Sequence, residues 1–338
     1  MNVIKVFIVN IIVLLFAFEI LARVIFLHPT RFYYPLSSLT QDIQEDWNVD
    51  YKVDWRSGQR ISSCNNEVDI TNNKEVLIVG DSYAFGAGLM IEDTFFYKMS
   101  CNQKYNIKNL AAMGTGLDFY SKVIRQSNLK NVEEIILIFS ENDGDIRIDN
   151  SQLMSLKNKL RYSLFSYTVL RSLFRKIKTL ELINKSEDYS KINNLNFIFG
   201  KNSNHIEDWF KFNDKKVKYI DNEFNKISKY ILSKNKKILL KTLVIPDPSV
   251  ISDTHRDLYK KYGADFLPKK NQPSNLAKKI LEHSEKYNFQ YLPFYELMIA
   301  TNKIKDQKYY FQYDFHLNEK GNLFLYNFLT KYLSKFET

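Results

Sequence analysis

Four consecutive aliphatic residues, Val76 to Val79, run without alternation into Gly80-Asp81-Ser82. An unbroken apolar run closed by glycine is the pattern of a strand buried on both faces, as in a parallel sheet. Similar runs follow at Glu134 to Ser140 (EIILIFS) and Lys237 to Ile245 (KILLKTLVI), with shorter strands predicted near Tyr105 to Leu110 and Phe289 to Phe294. Between them the apolar positions change to three- and four-residue steps. These predict helices around Phe95 to Met99, Leu117 to Gln126, Val217 to Ser233, Asn275 to Tyr287 and at the C-terminus. Alternating strands and helices imply an α/β fold with a parallel sheet covered on both faces.

The alternation lapses in three places. Residues 3 to 27 form the most hydrophobic stretch, and about 20 such residues suffice to cross a bilayer. The uncharged part, Val6 to Phe18, is shorter, and Glu19 and Arg23 follow at a spacing that lets them pair on one helical face. No small-residue cleavage site follows, so residues 1–28 are expected to be an uncleaved transmembrane signal anchor. The competing reading is a buried amphipathic helix. Lys5 and the terminal amine favour a cytoplasmic N-terminus, with the rest of the chain outside. Residues 29–73 read as an aromatic, irregular connector. At about 151–216, Leu153, Leu156, Leu160, Leu164, Tyr167, Leu170, Phe174 and Ile177 mark one long amphipathic helix. It is expected to be a helical insertion, a lid over the domain, although its basic outer face also suits an anionic membrane.

With 338 residues and 45% hydrophobic content the chain can bury a full-sized core. The net charge of +10 invites anionic partners. The lysines are dispersed, however, and no nucleic-acid module is recognisable, so no nucleic-acid partner is expected. Cys64 and Cys101 have no metal-ligand spacing; they either form a disulfide or stay as buried thiols. Asp143, Asp145 and Asp149 lack the spacing of a calcium loop, and turn chemistry explains them. His28, His205, His255 and His283 have no setting that suggests chemistry.

Candidate chemistry follows the glycines. Of only ten, six (Gly80, Gly86, Gly88, Gly114, Gly116 and Gly144) fall in one window. Ser82 ends the first strand, Gly114 follows the second, Asn142 the third, and Asp314 and His316 precede the last helix. In an open α/β sheet the carboxyl ends of neighbouring strands share one edge, so these residues can converge. Acyl transfer requires a hydroxyl, a base in reach, an acid to orient the base, and donors for the oxyanion. Ser82, His316 and Asp314 fit the first three roles. The amides of Ser82 and Gly114 and the Asn142 side chain fit the last.

The four blocks GDSYAFG, NLAAMGTG, SENDG and DFHLNEKG resemble, in order, those of the SGNH, or GDSL-type, hydrolase superfamily. The resemblance covers residues 74–338 apart from the insertion. It implies a flavodoxin-like three-layer α/β/α sandwich and serine-based ester or acyl-group chemistry with no metal and no cofactor. One departure concerns the acid: Asp314 stands two residues before His316, where the commoner spacing is three, and Asp247 is the fallback. The D-x-H-x-N block resembles the branch associated with polysaccharide O-acetylation. The expected function is therefore an extracytoplasmic serine esterase or O-acyltransferase acting on an acylated carbohydrate or lipid, with polysaccharide-modification machinery as partner and the N-terminal helix in the membrane. The alternatives are a catalytically silent glycan- or lipid-binding member, and a cytoplasm-facing thioesterase or lysophospholipase.

Overall fold

The computed structural model describes residues 2–25, 59–60, 64, 75–101, 106–144, 209–234, 237–261, 264, 266–304, 308–312 and 314–333. The connector and the insertion lie almost wholly outside these residues, as do His28, His205, Asp145 and Asp149. Two compact units are distinguished, Met1–Ser38 with Asp50–Ile61 and Ile148–Lys191, and Leu39–Val49 with Ser62–Arg147 and Ile192–Thr338.

In the first unit α1 spans Asn2–Ile25. Among the described residues no helix is long and apolar enough to cross a membrane, which corrects the transmembrane anchor expected at 1–28. The reason lies in the sequence: Lys5, Asn10, Glu19 and Arg23 interrupt the apolar run, and the uncharged part is shorter than the ~20 residues a bilayer requires.

Among the described residues the second unit holds five strands, β1 (Glu75–Gly80), β2 (Asn106–Asn109), β3 (Val132–Phe139), β4 (Leu239–Val244) and β5 (Gln290–Tyr291). Its helices are α2 (Ser82–Phe85), α3 (Phe95–Cys101), α4 (Leu117–Gln126), α5 (Asp214–Leu232), α6 (Pro248–Ile251), α7 (Asp253–Lys261), α8 (Asn275–Lys286), α9 (Phe294–Ile304) and α10 (Glu319–Leu333). The sheet is parallel throughout, in the order β2-β1-β3-β4-β5. That is the flavodoxin-like order, in which the chain leaves β1 to one side for β2 and returns past it to β3. Right-handed crossovers in opposite directions put α3 and α4 on opposite faces. Accordingly α4, α5 and α8 pack together, and α3 packs with α10. Phe294 of α9 meets Phe328 of α10 at 5.1 Å between ring centroids.

Leu77, Ile78 and Val79 of β1 are fully buried, as a central strand requires. Gly80 pairs with Ile138, and Phe139 with Val244, so the three central strands end level. Their continuations emerge at one edge, which becomes the site. A Cβ on Gly80 would sit 2.5 Å from Ala84 Cβ and 2.8 Å from the Ile138 carbonyl oxygen, so only glycine lets the turn fold back there. β5 is shorter than the 289–294 run suggested, because Pro293 has no amide to extend the ladder. The stretch before α8 holds α6, capped by Asp247 with Pro248 at its first position, and α7. Cys64 and Cys101 form a disulfide, with Cα atoms 5.3 Å apart.

Candidate active site

The turn after β1 delivers Ser82. Asp81 caps α2 by accepting the Tyr83 amide at 3.0 Å, so the chain turns sharply and Ser82 becomes the first residue of the helix. Gly86 closes α2 in the left-handed conformation, φ 75°. Opposite it, the segment before α10 folds into a tight loop. Tyr310 and Leu317 form an antiparallel bridge, and the Phe311 amide donates to the His316 carbonyl at 3.1 Å. Asn318 fixes the end of that loop: its side-chain oxygen accepts the Gly321 amide at 3.1 Å as an N-cap of α10, and its Nδ2 donates to the Tyr310 carbonyl at 2.8 Å. The asparagine of the D-x-H-x-N block is thus a hinge pin two residues beyond the histidine.

The structure brings Ser82, His316 and Asp314 into one hydrogen-bond chain. Ser82 Oγ lies 2.7 Å from His316 Nε2, and His316 Nδ1 lies 2.7 Å from Asp314 Oδ2. A carboxylate accepts, so the imidazole proton sits on Nδ1 and the Nε2 lone pair faces the serine hydroxyl. Asp314 is fixed in turn through Oδ1, which accepts the Phe315 amide at 2.7 Å. All three residues are buried, Ser82 being 7% exposed. Asp247 does not take part: its oxygens accept the Ser249 amide at 2.8 Å and the Tyr259 hydroxyl at 3.1 Å. Burial holds the Asp247 carboxyl above its usual range, partly offset by those bonds.

Gly114 sits exposed in the turn after β2 with φ 69°, in the left-handed region that favours glycine. That turn is stitched to the end of β1, where the Ala112 amide donates to the Gly80 carbonyl at 3.3 Å. Asn142 is half-buried in the 3-10 turn Glu141–Gly144 that ends β3. Ser140 Oγ lies 2.6 Å from Asn142 Oδ1 and 2.7 Å from Asp81 Oδ2, sharing its single proton between two acceptors. Ser140 therefore ties the asparagine to the serine-bearing turn.

Several residues around the site escaped the sequence reading. The His316 ring is packed by that of Tyr83 at 5.0 Å and by that of Phe315 at 4.3 Å, between ring centroids. Trp209 meets Phe315 edge-on at 5.8 Å. His255 reaches the Phe311 carbonyl at 2.8 Å and the Asp314 carbonyl at 3.3 Å, while its Nδ1 meets Ser252 Oγ at 2.9 Å. Glu141, next to Asn142, is buried beside the Ser274 and Tyr295 hydroxyls. Burial pushes its carboxyl up to about 8; the Ser274 and Tyr295 hydroxyls and Lys216 offset this in part, and Asp247 adds to it. Only position could have flagged these residues: Tyr83 directly follows Ser82, and Ser140 and Glu141 directly precede Asn142. Asp143 bonds the Tyr120 hydroxyl at 2.9 Å and the Ser140 amide at 2.8 Å, as turn chemistry suggested.

The sequence matches no protein-family model and no curated protein. Solved structures of SGNH- and GDSL-type esterases and lipases are similar in fold. A lipase/acylhydrolase from Enterococcus faecalis shares 11% identity, with 77% of this chain and 95% of that one covered, at a TM-score of 0.37. The SGNH-hydrolase family esterase AlinE4 shares 14%, covering 79% and 98%, at 0.34. A catalytic mutant of an acetylxylan esterase from Geobacillus stearothermophilus shares 10%, covering 76% and 93%, at 0.35. At these identities the likeness concerns overall fold alone, and the chemistry is read from this chain's own side chains.

Proposed function

We propose that this protein is a serine-dependent ester hydrolase or O-acyltransferase that works through an acyl-enzyme on Ser82. The observation that carries this reading is the unbroken hydrogen-bond chain from Ser82 Oγ through His316 to Asp314. In the first half-reaction, Oγ attacks the ester carbonyl while Nε2 takes its proton. Asp314 holds the resulting imidazolium. The tetrahedral oxyanion is met by the amides of Ser82 and Gly114 and by the Asn142 side chain, whose own oxygen is engaged by Ser140. Collapse breaks the bond to the leaving alcohol, which departs with the proton from Nε2. In the second half-reaction water, or an acceptor hydroxyl, attacks the acyl carbon and gives its proton to Nε2; collapse breaks the bond to Ser82 Oγ, which leaves with that proton from Nε2 and restores the starting serine. Hydrolysis and transfer differ only in that last nucleophile.

The substrate class we propose is an acylated carbohydrate or lipid. The D-x-H-x-N block favours the carbohydrate and, with it, a place among polysaccharide-modifying proteins. The Cys64–Cys101 disulfide favours work outside the reducing cytoplasm. The test is turnover of chromogenic acetyl and long-chain esters and of acetylated oligosaccharides by the full chain, with Ser82→Ala as control. Loss of turnover in Ser82→Ala supports the reading. Equal rates in both proteins would end it.

A further inference from the structure

Two consecutive residues at the start of α2 grip two consecutive residues of the loop before α10. Ser82 Oγ meets His316 Nε2 at 2.7 Å, and the Tyr83 hydroxyl donates to the Phe315 carbonyl, also at 2.7 Å. The peptide group that joins Phe315 to His316 is thereby held by its oxygen. One peptide earlier, the Phe315 amide is held by Asp314 Oδ1 at 2.7 Å. The Tyr83 ring also lies 5.0 Å from the imidazole and 6.1 Å from the Phe315 ring, each centroid to centroid.

We infer that Tyr83 is the positioning residue of the proposed acyl-transfer reaction, locking the Phe315–His316 peptide so that Nε2 stays aimed at Ser82. The inference rests on the reading of Ser82 and His316 as nucleophile and base. Its physical content is distance control. The loop is attached to β1 through side chains, and a displacement of about 1 Å between nucleophile and base can cost about 100-fold in rate. Tyr83 is 4% exposed, and burial, with the charge of Asp247 next, holds its phenol well above the usual value. It therefore stays a donor wherever the protein is folded. The ring has a second role: it packs against the imidazole at 5.0 Å, the two planes tilted by 44°, and so limits rotation of the His316 side chain.

Two substitutions separate the hydroxyl from the ring. Tyr83→Phe keeps the packing and removes only the bond to Phe315, so the variant should fold. Tyr83→Leu removes both. With an aryl acetate, kcat should fall about 10-fold in Tyr83→Phe and about 100-fold in Tyr83→Leu, with KM nearly unchanged. In a His316→Ala background, Tyr83→Phe should cost nothing further, because a residue that acts through His316 has nothing left to position. The same loss in both backgrounds, or no loss in either, would overturn the assignment. The second readout needs no turnover. In 15N-histidine spectra the wild type should show His316 as a single Nδ1–H tautomer, and Tyr83→Phe should show a mixture or an exchange-broadened signal. An unchanged His316 signal would also overturn the assignment. If the wild type hydrolyses no ester yet its His316 signal responds to Tyr83→Phe, the positioning role stands and the esterase reading fails.

Discussion

His316 Nε2 lies 2.7 Å from Ser82 Oγ although 234 residues separate them in the chain. The contact joins the end of the central strand β1 to the loop before the last helix. If these two residues act as a unit, Ser82→Ala and His316→Ala should each lower ester turnover by several orders of magnitude, and the double variant should be little worse than either. Single-turnover and steady-state rates on one aryl acetate check this. Losses that multiply would mean that the two residues act independently.

The acid makes a second prediction. Asp314 holds His316 Nδ1 at 2.7 Å, whereas Asp247 is occupied by Ser249 and Tyr259. Asp314→Asn should cut kcat about 10³- to 10⁴-fold by leaving the imidazole in the wrong tautomer. Asp247→Asn, which keeps the cap of α6, should leave kcat within about threefold. Opposite ranking of the two variants would exchange their roles.

Asn142 is held by Ser140 at 2.6 Å and is expected to act on charge that exists only in the transition state. Asn142→Ala should lower kcat about 100- to 1000-fold with little change in KM. A defect confined to KM would instead assign Asn142 to substrate binding.

Glu141 sets a pH dependence of stability. Its carboxyl moves from an ordinary 4.5 to about 8 on folding, chiefly through burial. Between those values the folded chain holds a proton that the unfolded chain has lost. Stability therefore falls as pH rises through this window and levels off above it. At pH 7 the cost is about 3 kcal/mol. Glu141→Gln should raise Tm at pH 7 to 8, and the gain should vanish near pH 4. Thermal melts across that range check it; a gain independent of pH would point to packing instead of charge.

Much of this arrangement was legible in the sequence because it is built from local signals. The unbroken apolar runs at Val76–Val79 and Ile135–Phe139 became central strands, and the turn residues after them arrived at one edge. The Asp314–His316 pairing was also legible from the acid and base standing two residues apart, although the backbone there is bent and the bond of Asp314 Oδ1 to the Phe315 amide holds the pair together. What was hidden depends on tertiary contact. Nothing local to Glu141 says that it will be fully buried, or that Tyr83 will reach Phe315 across 232 residues. Helix α9 was missed because its aromatic start follows Pro293 directly and read as the end of a strand. The N-terminal run misled in the other direction: apolar content suggested a span, while the charges at Lys5, Glu19 and Arg23 cut it short.

The most direct test of the central claim is covalent. A fluorophosphonate reacts with a serine hydroxyl whose proton a neighbouring base can take, displacing fluoride and forming a serine phosphonate ester. Peptide mass spectrometry of the labelled full chain should find one adduct, on Ser82, formed rapidly in the wild type and at least about 100-fold more slowly in His316→Ala. No adduct, an adduct on another serine, or a labelling rate that His316→Ala leaves unchanged would contradict the account.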